Sequence, residues 1–442
     1  MTEKHGRFRD LLLSAKGISL YHRVLKYSER WPIERLHDYQ FQNIKLLLIH
    51  VFEKIPYYHN LFMANSFNPY KDFNGIEDLS LLPVLRQQQA RQVKEQLADG
   101  SKLAEAIELR TSGTTGEPFI CYASPKHWIM EQGATWRHWK WMGYRFRDRM
   151  AILRSYVPKG NDPLWKVDRT RNFFYLSAYH ISEENIELYV NKLNEWKIKF
   201  LRGYPSSLYI LAKYMSMKSL SIKPPKGILT ASETLLPHHR KTIEETFGAP
   251  VFNWYGLGEP AITIMECEAH EGMHINMEYG ICELLTDPNL PADQRKIVAT
   301  SIHNDAMPLI RYETKDIAVV GSKAECSCGR SLPIIKRILG RSDDFLYGSA
   351  GRILPSVNFY TLFYEYPELI RFQIEQESKE EIIVRIMRPD RWKTEKRARL
   401  LEELNDRFGS EIKITLLENE QFVQMGEGKT PVIIQRTKDP LA

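Results

Sequence analysis

Four hydroxyls, two glycines and an arginine crowd into the nine residues Arg110-Thr111-Ser112-Gly113-Thr114-Thr115-Gly116-Glu117-Pro118. A loop of this composition offers backbone N–H and side-chain O–H donors together, an array suited to phosphate oxygens. It lacks the Gly-Lys-Ser/Thr ending of the common NTPase loop, which points to a different nucleotide chemistry. The same residue types also dominate plain surface turns, so the loop needs support from elsewhere in the chain.

Four later segments supply it. Thr230-Ala231-Ser232-Glu233-Thr234 reads as a strand end running into small polar residues. In Asn253-Trp254-Tyr255-Gly256-Leu257-Gly258-Glu259-Pro260, flat backbone beside Tyr255 suits a stacked base, and Glu259 suits a hard cation carried by phosphates. Asp316, in Arg311-Tyr312-Glu313-Thr314-Lys315-Asp316, could accept hydrogen bonds from a ribose diol. Gly340-Arg341-Ser342-Asp343-Asp344 comes last. Singly, each has an ordinary reading: a glycine turn, an Asp paired with Arg311, a polar linker. Their order and separation favour one shared nucleotide site.

A second cluster suggests a metal. Cys326-Ser327-Cys328 is a tight thiolate pair, and Cys267 with His270 or His274 makes another half-site. Two such halves complete a four-ligand tetrahedral zinc site with no open position, hence a structural one. The plain alternative is reduced thiols, since Cys-x-Cys is tighter than the usual zinc spacing. Five cysteines in 442 residues do not make a disulfide framework.

Positioning these groups takes more than one domain; 442 residues suit two or three. A 43% hydrophobic and 26% charged composition is that of a soluble globular protein. A net charge of +6 without a basic block gives no reason to expect a nucleic acid or an anionic membrane. No apolar run approaches the roughly 18–20 residues that span a bilayer, and no signal peptide is evident, so a cytoplasmic protein is expected.

Residues 1–62 read as helical, with Phe41, Ile44, Leu48, Val51 and Phe52 on one face. Phe119-Ile120-Cys121-Tyr122 has strand composition, and 126–143 reads as a helix whose tryptophans (Trp128, Trp136, Trp139, Trp141) belong to the core. From 150 to 320, short β runs at 150–153, 199–201, 227–230 and 250–253 alternate with helical ones at 183–196 and 207–217, the pattern of parallel α/β layers. Residues 273–320 look more antiparallel, with a strand at 296–300. Past Gly340 the pattern changes to a unit of about 100 residues, with strands at 370–374, 382–386 and 412–416 and a charged helix at 393–408.

With these motifs the chain resembles the adenylate-forming superfamily of acyl-CoA synthetases, and within it the phenylacetate–CoA ligase branch that includes capsular-polysaccharide homologues. Ile55-Pro56-Tyr57-Tyr58, Leu201-Arg202-Gly203-Tyr204-Pro205-Ser206 and Phe372-Gln373-Ile374-Glu375-Gln376 extend the resemblance along nearly the whole chain. It implies an α/β fold: a large N-terminal adenylate-forming domain with mixed sheets and a helical N-terminus (1–341), plus a small mobile α+β C-terminal lid (342–442).

The resemblance also implies roles. Ser112, Gly113, Thr114, Thr115 and Gly116 would hold the β/γ-phosphates of ATP. Ser232 and Glu233 would lie beside the adenine. Tyr255 and Gly256 would flank the adenine and the acyl carboxylate, and Asp316 would hold the ribose with Arg341 nearby. Glu259 would bind Mg²⁺. Asp343 would be the hinge, and Lys429 the mobile lysine that, with Glu259 and Thr115, serves catalysis. His180 would gate the passage between acyl pocket and thiol tunnel. Cys267, His274, Cys326 and Cys328 would hold a structural zinc.

The implied partners are a small carboxylic acid, often aryl or arylacetic in this branch, and CoA or another acyl acceptor; a homodimer is the oligomeric expectation. The sequence departs from the family pattern at Glu117, where many relatives carry Lys, and at Gly258, where Ser or Thr is usual. A catalytically silent nucleotide-binding relative is the alternative that these departures raise.

Overall fold

The computed structural model describes residues 2–110, 119–154, 156, 158, 162–178, 180–288, 290–321, 325–341, 345–349, 353–355, 359, 362–363, 365–366, 368–388, 392–424 and 430–437. The chain begins in helices. Ile33–Lys54 buries Ile44, Leu48 and Val51 completely and packs Phe41 and Phe52 against the same core, as their three- and four-residue spacing requires. It stops ahead of a proline. Ile55 is extended (φ −116°, ψ 108°), the conformation imposed on a residue before proline, and Pro56 opens the helix Pro56–Ala64.

Strands β1 (Ile107–Arg110) and β2 (Ile120–Ala123) pair antiparallel up to Arg110 opposite Ile120. Residues 111–118, which connect them, lie outside the described residues, so Ser112, Gly113, Thr114, Thr115 and Gly116 stay as the sequence left them. There follow β3 (Met150–Arg154), β4 (Trp165–Asp168), β5 (Phe173–Ser177), β6 (Phe200–Gly203), β7 (Gly227–Ala231), β8 (Val251–Gly256), β9 (Thr263–Glu266) and β10 (Met273–Ile275). Next come β11 (Gly280–Leu285), β12 (Gln294–Ser301), β13 (Tyr312–Val319), β14 (Ile334–Ile335) and β15 (Arg337–Arg341).

A nine-stranded sheet runs β14-β10-β9-β8-β7-β6-β3-β5-β4. Its middle strands, from β8 to β5, are parallel, and both flanks are antiparallel. Parallel strands covered on both faces read as continuous apolar runs, and β7 is buried throughout. Pro125–Trp141 covers one face over Phe200, Leu229 and Phe252. Ile186–Glu195, Pro205–Met217 and Pro237–Phe247 cover the other over Leu201, Ile228 and Val251. Successive side chains of a strand point to opposite faces, which is why Phe200 and Leu201 join different cores. Of the tryptophans expected in the core, Trp136 and Trp141 are buried, while Trp128 and Trp139 line cavities.

β11, β12, β13 and β15 form a separate antiparallel sheet, as the 273–320 region suggested. Beyond Arg341, and after 342–344, which lie outside the described residues with Asp343, the chain builds a smaller unit. Here β16 (Phe345–Tyr347) pairs with β17 (Ile353–Pro355). A four-stranded sheet then forms from β18 (Arg371–Gln376), β19 (Glu381–Met387), β20 (Lys413–Glu418) and β21 (Ile433–Gln435), in the order β20-β19-β18-β21. The helix Thr394–Phe408 packs Leu400, Leu404 and Phe408 into this unit's own core with Ile374, Val384 and Ile386. The architecture is the expected one: an α/β body with a helical N-terminus, large sheets and a small α+β unit at the C-terminus.

Candidate functional site

Parallel strands deliver their last residues to one edge of the sheet, where open α/β sheets bind ligands. β3, β6, β7 and β8 end there, and a cavity of about 530 Å³ opens over them. Ser232, Glu233, Tyr255, Gly256, Glu259 and Asp316 all line it. Residues expected from three separate motifs to serve one nucleotide thus share one wall.

The local backbone explains how they get there. Ser232 follows β7 with φ 72°, a left-handed conformation uncommon outside glycine and a form of stored strain typical of ligand sites. Its Oγ accepts a hydrogen bond from Arg154 Nη2 at 2.9 Å. The Glu233 carboxylate accepts from the N–H and Oγ of Ser206, both at 3.0 Å, at the start of the helix Pro205–Met217, where a negative charge is favoured. A Cβ on Gly256 would come within 2.7 Å of Trp254 Nε1, so bare backbone is needed beside the indole.

Tyr255 donates its phenolic hydrogen to Asp316 Oδ2 at 2.7 Å. Burial, then the neighbouring Asp316 charge, pushes the phenol well above its ordinary range, so it stays a neutral donor. Asp316 sits on β13 directly across from Arg341 of β15 in the strand register. Glu259 is buried and accepts from Tyr312 Oη at 2.8 Å through Oε1.

The C-terminal unit contributes to the same cavity. Thr430, the residue after Lys429, lines it with Val432 and Ile433. Lys429 itself lies outside the described residues. Arg371 of β18 is close enough for the Glu233 charge to act on it. His180 is not brought to the cavity wall. It is exposed past the end of β5, with Nδ1 2.8 Å from Ser177 Oγ.

Glu131 and Arg154 also line the cavity, as does Arg202 of the Leu201-to-Ser206 motif, to which the sequence gives no role of its own. A charged side chain inside a parallel strand that is otherwise buried was the available signal for Arg202.

The cysteine cluster assembles at the far edge of the nine-stranded sheet. The ligand atoms of Cys267, His274, Cys326 and Cys328 all lie within 4.8 Å of one another. Cys267 Sγ is 3.6 Å from Cys326 Sγ, and Cys328 Sγ is 3.4 Å from His274 Nε2. Tetrahedral zinc with ordinary bond lengths would set these separations at about 3.8 and about 3.5 Å. His274 donates from Nδ1 to the Leu332 carbonyl at 2.9 Å, which turns Nε2 toward the sulfurs in the manner of a zinc ligand. His270 is held by Glu266 at 3.1 Å and takes no part. The donor set fits a structural zinc that would tie β9 and β10 to the segment leading into β14.

The comparisons agree with this geometry. Residues 346–436 match the family model described as the CapK C-terminal domain. Protein CapK of Staphylococcus aureus is 24% identical over 421 residues, 91% of each chain. The phenylacetate-coenzyme A ligase of Thermus thermophilus is 25% identical over 362 residues, 75% of each chain. Among solved structures, a 2-hydroxyisobutyryl-CoA ligase in its postadenylation state superposes with a TM-score of 0.69 at 16% identity, covering 92% of this chain and 90% of its own. At that identity the likeness speaks for the fold.

Proposed function

The chain belongs to the adenylate-forming superfamily, on the branch of the phenylacetate–CoA ligases and CapK, and from that premise we propose that it joins a carboxylic acid to a thiol, driven by ATP. In the first half-reaction a carboxylate oxygen attacks the α-phosphorus, a new C(O)O–P bond forms, and pyrophosphate leaves. In the second, a CoA thiol attacks the acyl carbon of the adenylate. The thioester forms, AMP departs with the bonding pair, and the thiol proton is released.

The observation that carries this reading is the convergence of Ser232, Glu233, Tyr255, Glu259 and Asp316 on one cavity. In it, Tyr255 and Asp316 position the nucleoside, and Ser232 and Glu233 border the base. Ser112 to Gly116 would bind the β/γ-phosphates through backbone and hydroxyl donors. Glu259 would hold Mg²⁺, which when bound offsets charge on the phosphates. Lys429, next to the cavity-lining Thr430, would place its ammonium on the α-phosphate as charge builds there. Rotation about Asp343 would then withdraw Lys429 and admit the thiol.

An aryl or arylacetic acid, by analogy with the names of the phenylacetate-CoA ligases, would use the aromatic wall of Trp139, Trp254 and Tyr255. A second reading of the acceptor, by the resemblance to capsular-polysaccharide homologues, is an amine or carrier in surface-polysaccharide assembly; CapK matches a larger share of the chain than the ligases do. Pyrophosphate exchange across a panel of acids, run with and without CoA, tests the reading. Acid-dependent exchange is expected, and product that appears only with CoA would identify the thiol as acceptor.

A further inference from the structure

The floor of the cavity is charged. β6 pairs with β3 and β7 so that Tyr175, Ile152, Arg202 and Leu229 form one row across the sheet. Arg202 shares a face with Phe200, toward the helix Pro125–Trp141, and there it meets Glu131, Thr135 and Trp139. Its guanidinium lies 5.8 Å from the Trp139 ring. Among the described residues Arg202 makes no hydrogen bond and no ion pair. Arg202 is half-buried, and burial lowers its pKa to about 10.

Arg202 is paired across the sheet with Leu229, three residues short of Ser232. At about 3.3 Å per residue its backbone is rooted about 10 Å behind the edge where the nucleotide would lie. The carboxylate under attack has to reach that edge, so Arg202 addresses the opposite end of the acid.

An apolar tail pressed over this guanidinium would strip it of water without supplying a hydrogen-bond acceptor, a costly arrangement. Glu131 is close enough for its charge to act on Arg202, but among the described residues no ion pair joins the two, and Glu131 Oε2 accepts from the Tyr279 hydroxyl at 2.6 Å. Arg154, at the end of β3, adds a second positive charge to the same cavity. A planar guanidinium is suited to bind a carboxylate through two parallel hydrogen bonds.

We propose that the acid activated here carries a second anionic group at its far end, and that Arg202 binds that group and sets the specificity. This rests on the ligase reading above and concerns the substrate of that same site. Its aromatic wall is compatible with a ring between the two acidic groups.

The test uses matched mono- and dicarboxylates, valerate against glutarate and phenylacetate against para-carboxyphenylacetate, in pyrophosphate exchange. The wild-type protein should favour the dicarboxylate of at least one pair. Arg202→Met should lower kcat/KM for it by about 100-fold, the scale of removing one partner of a buried charge pair, mainly through KM. Arg202→Lys should recover part of the loss, and the KM for ATP should not move in either variant, which also reports that both are folded. Monocarboxylates used as well as their partners, or a preference untouched by Arg202→Met, would overturn the proposal and leave the ligase intact. Silence with all acids would overturn the ligase reading and this one with it.

Discussion

Tyr255 gives its phenolic hydrogen to Asp316 Oδ2 at 2.7 Å, joining positions 61 residues apart in the chain and linking the end of β8 to β13. Both residues line the cavity. The contact makes the two residues separable by mutation, because the tyrosine orients the carboxylate while the carboxylate would bind the ribose.

Asp316→Ala should therefore raise the dissociation constant for ATP by about 10- to 100-fold, because it removes the ribose acceptor and leaves a buried phenol unpaired. Tyr255→Phe keeps the carboxylate and should cost less than about tenfold. Calorimetric titration with ATP checks both. Equal and small effects would remove Asp316 from the ribose.

Lys429→Ala should slow adenylation by at least about 100-fold, the scale of losing one preorganised charge at a developing oxyanion. Thiolysis of a supplied acyl-adenylate by CoA should stay near the wild-type rate, because the hinge reading withdraws the lysine before that step. Equal loss in both half-reactions would end the hinge role of Asp343.

The metal cluster predicts one zinc per chain in elemental analysis of purified protein. Chelation, or Cys328→Ser, should release it and lower the unfolding temperature by about 10 °C, because structural zinc contributes directly to folding. A metal-free protein of equal stability would leave three reduced thiols and a histidine with no metal role.

Burial holds His127, His138 and His303 neutral, at about 3, about 3 and about 4. The unfolded chain protonates the same rings below about 6.5. It therefore takes up more protons than the folded chain as pH falls through that value, and stability present at neutral pH is lost toward about pH 4. At about pH 5.5 each ring should cost about 1.4 kcal/mol relative to neutral pH. Urea unfolding at about pH 7 and about pH 5.5 measures the sum; an unchanged midpoint would contradict the burial of these imidazoles.

The sequence carried the layer pattern well because its parallel strands are short apolar runs and its long helices have clear stripes, as at Ile44, Leu48 and Val51. The helix Pro237–Phe247 was not read, although Pro237 at its start and Gly248 just past its end, with φ 63°, are ordinary boundary signals. Its interior, with His238, His239 and Arg240, is too polar to advertise a buried face. Ser232, Glu233, Tyr255, Glu259 and Asp316 were legible because the motifs are local. The meeting of Arg202 with Glu131 was not, since a pocket floor assembled from a strand and a helix 71 positions apart leaves no local pattern that links them.

The most direct measurement is incorporation of labelled pyrophosphate into ATP, dependent on added acid, by the wild-type chain. Acid-dependent exchange that needs no CoA and is lost in Lys429→Ala is the predicted result. ATP binding without exchange, across mono- and dicarboxylic acids alike, would contradict it and leave a nucleotide-binding protein that does not adenylate.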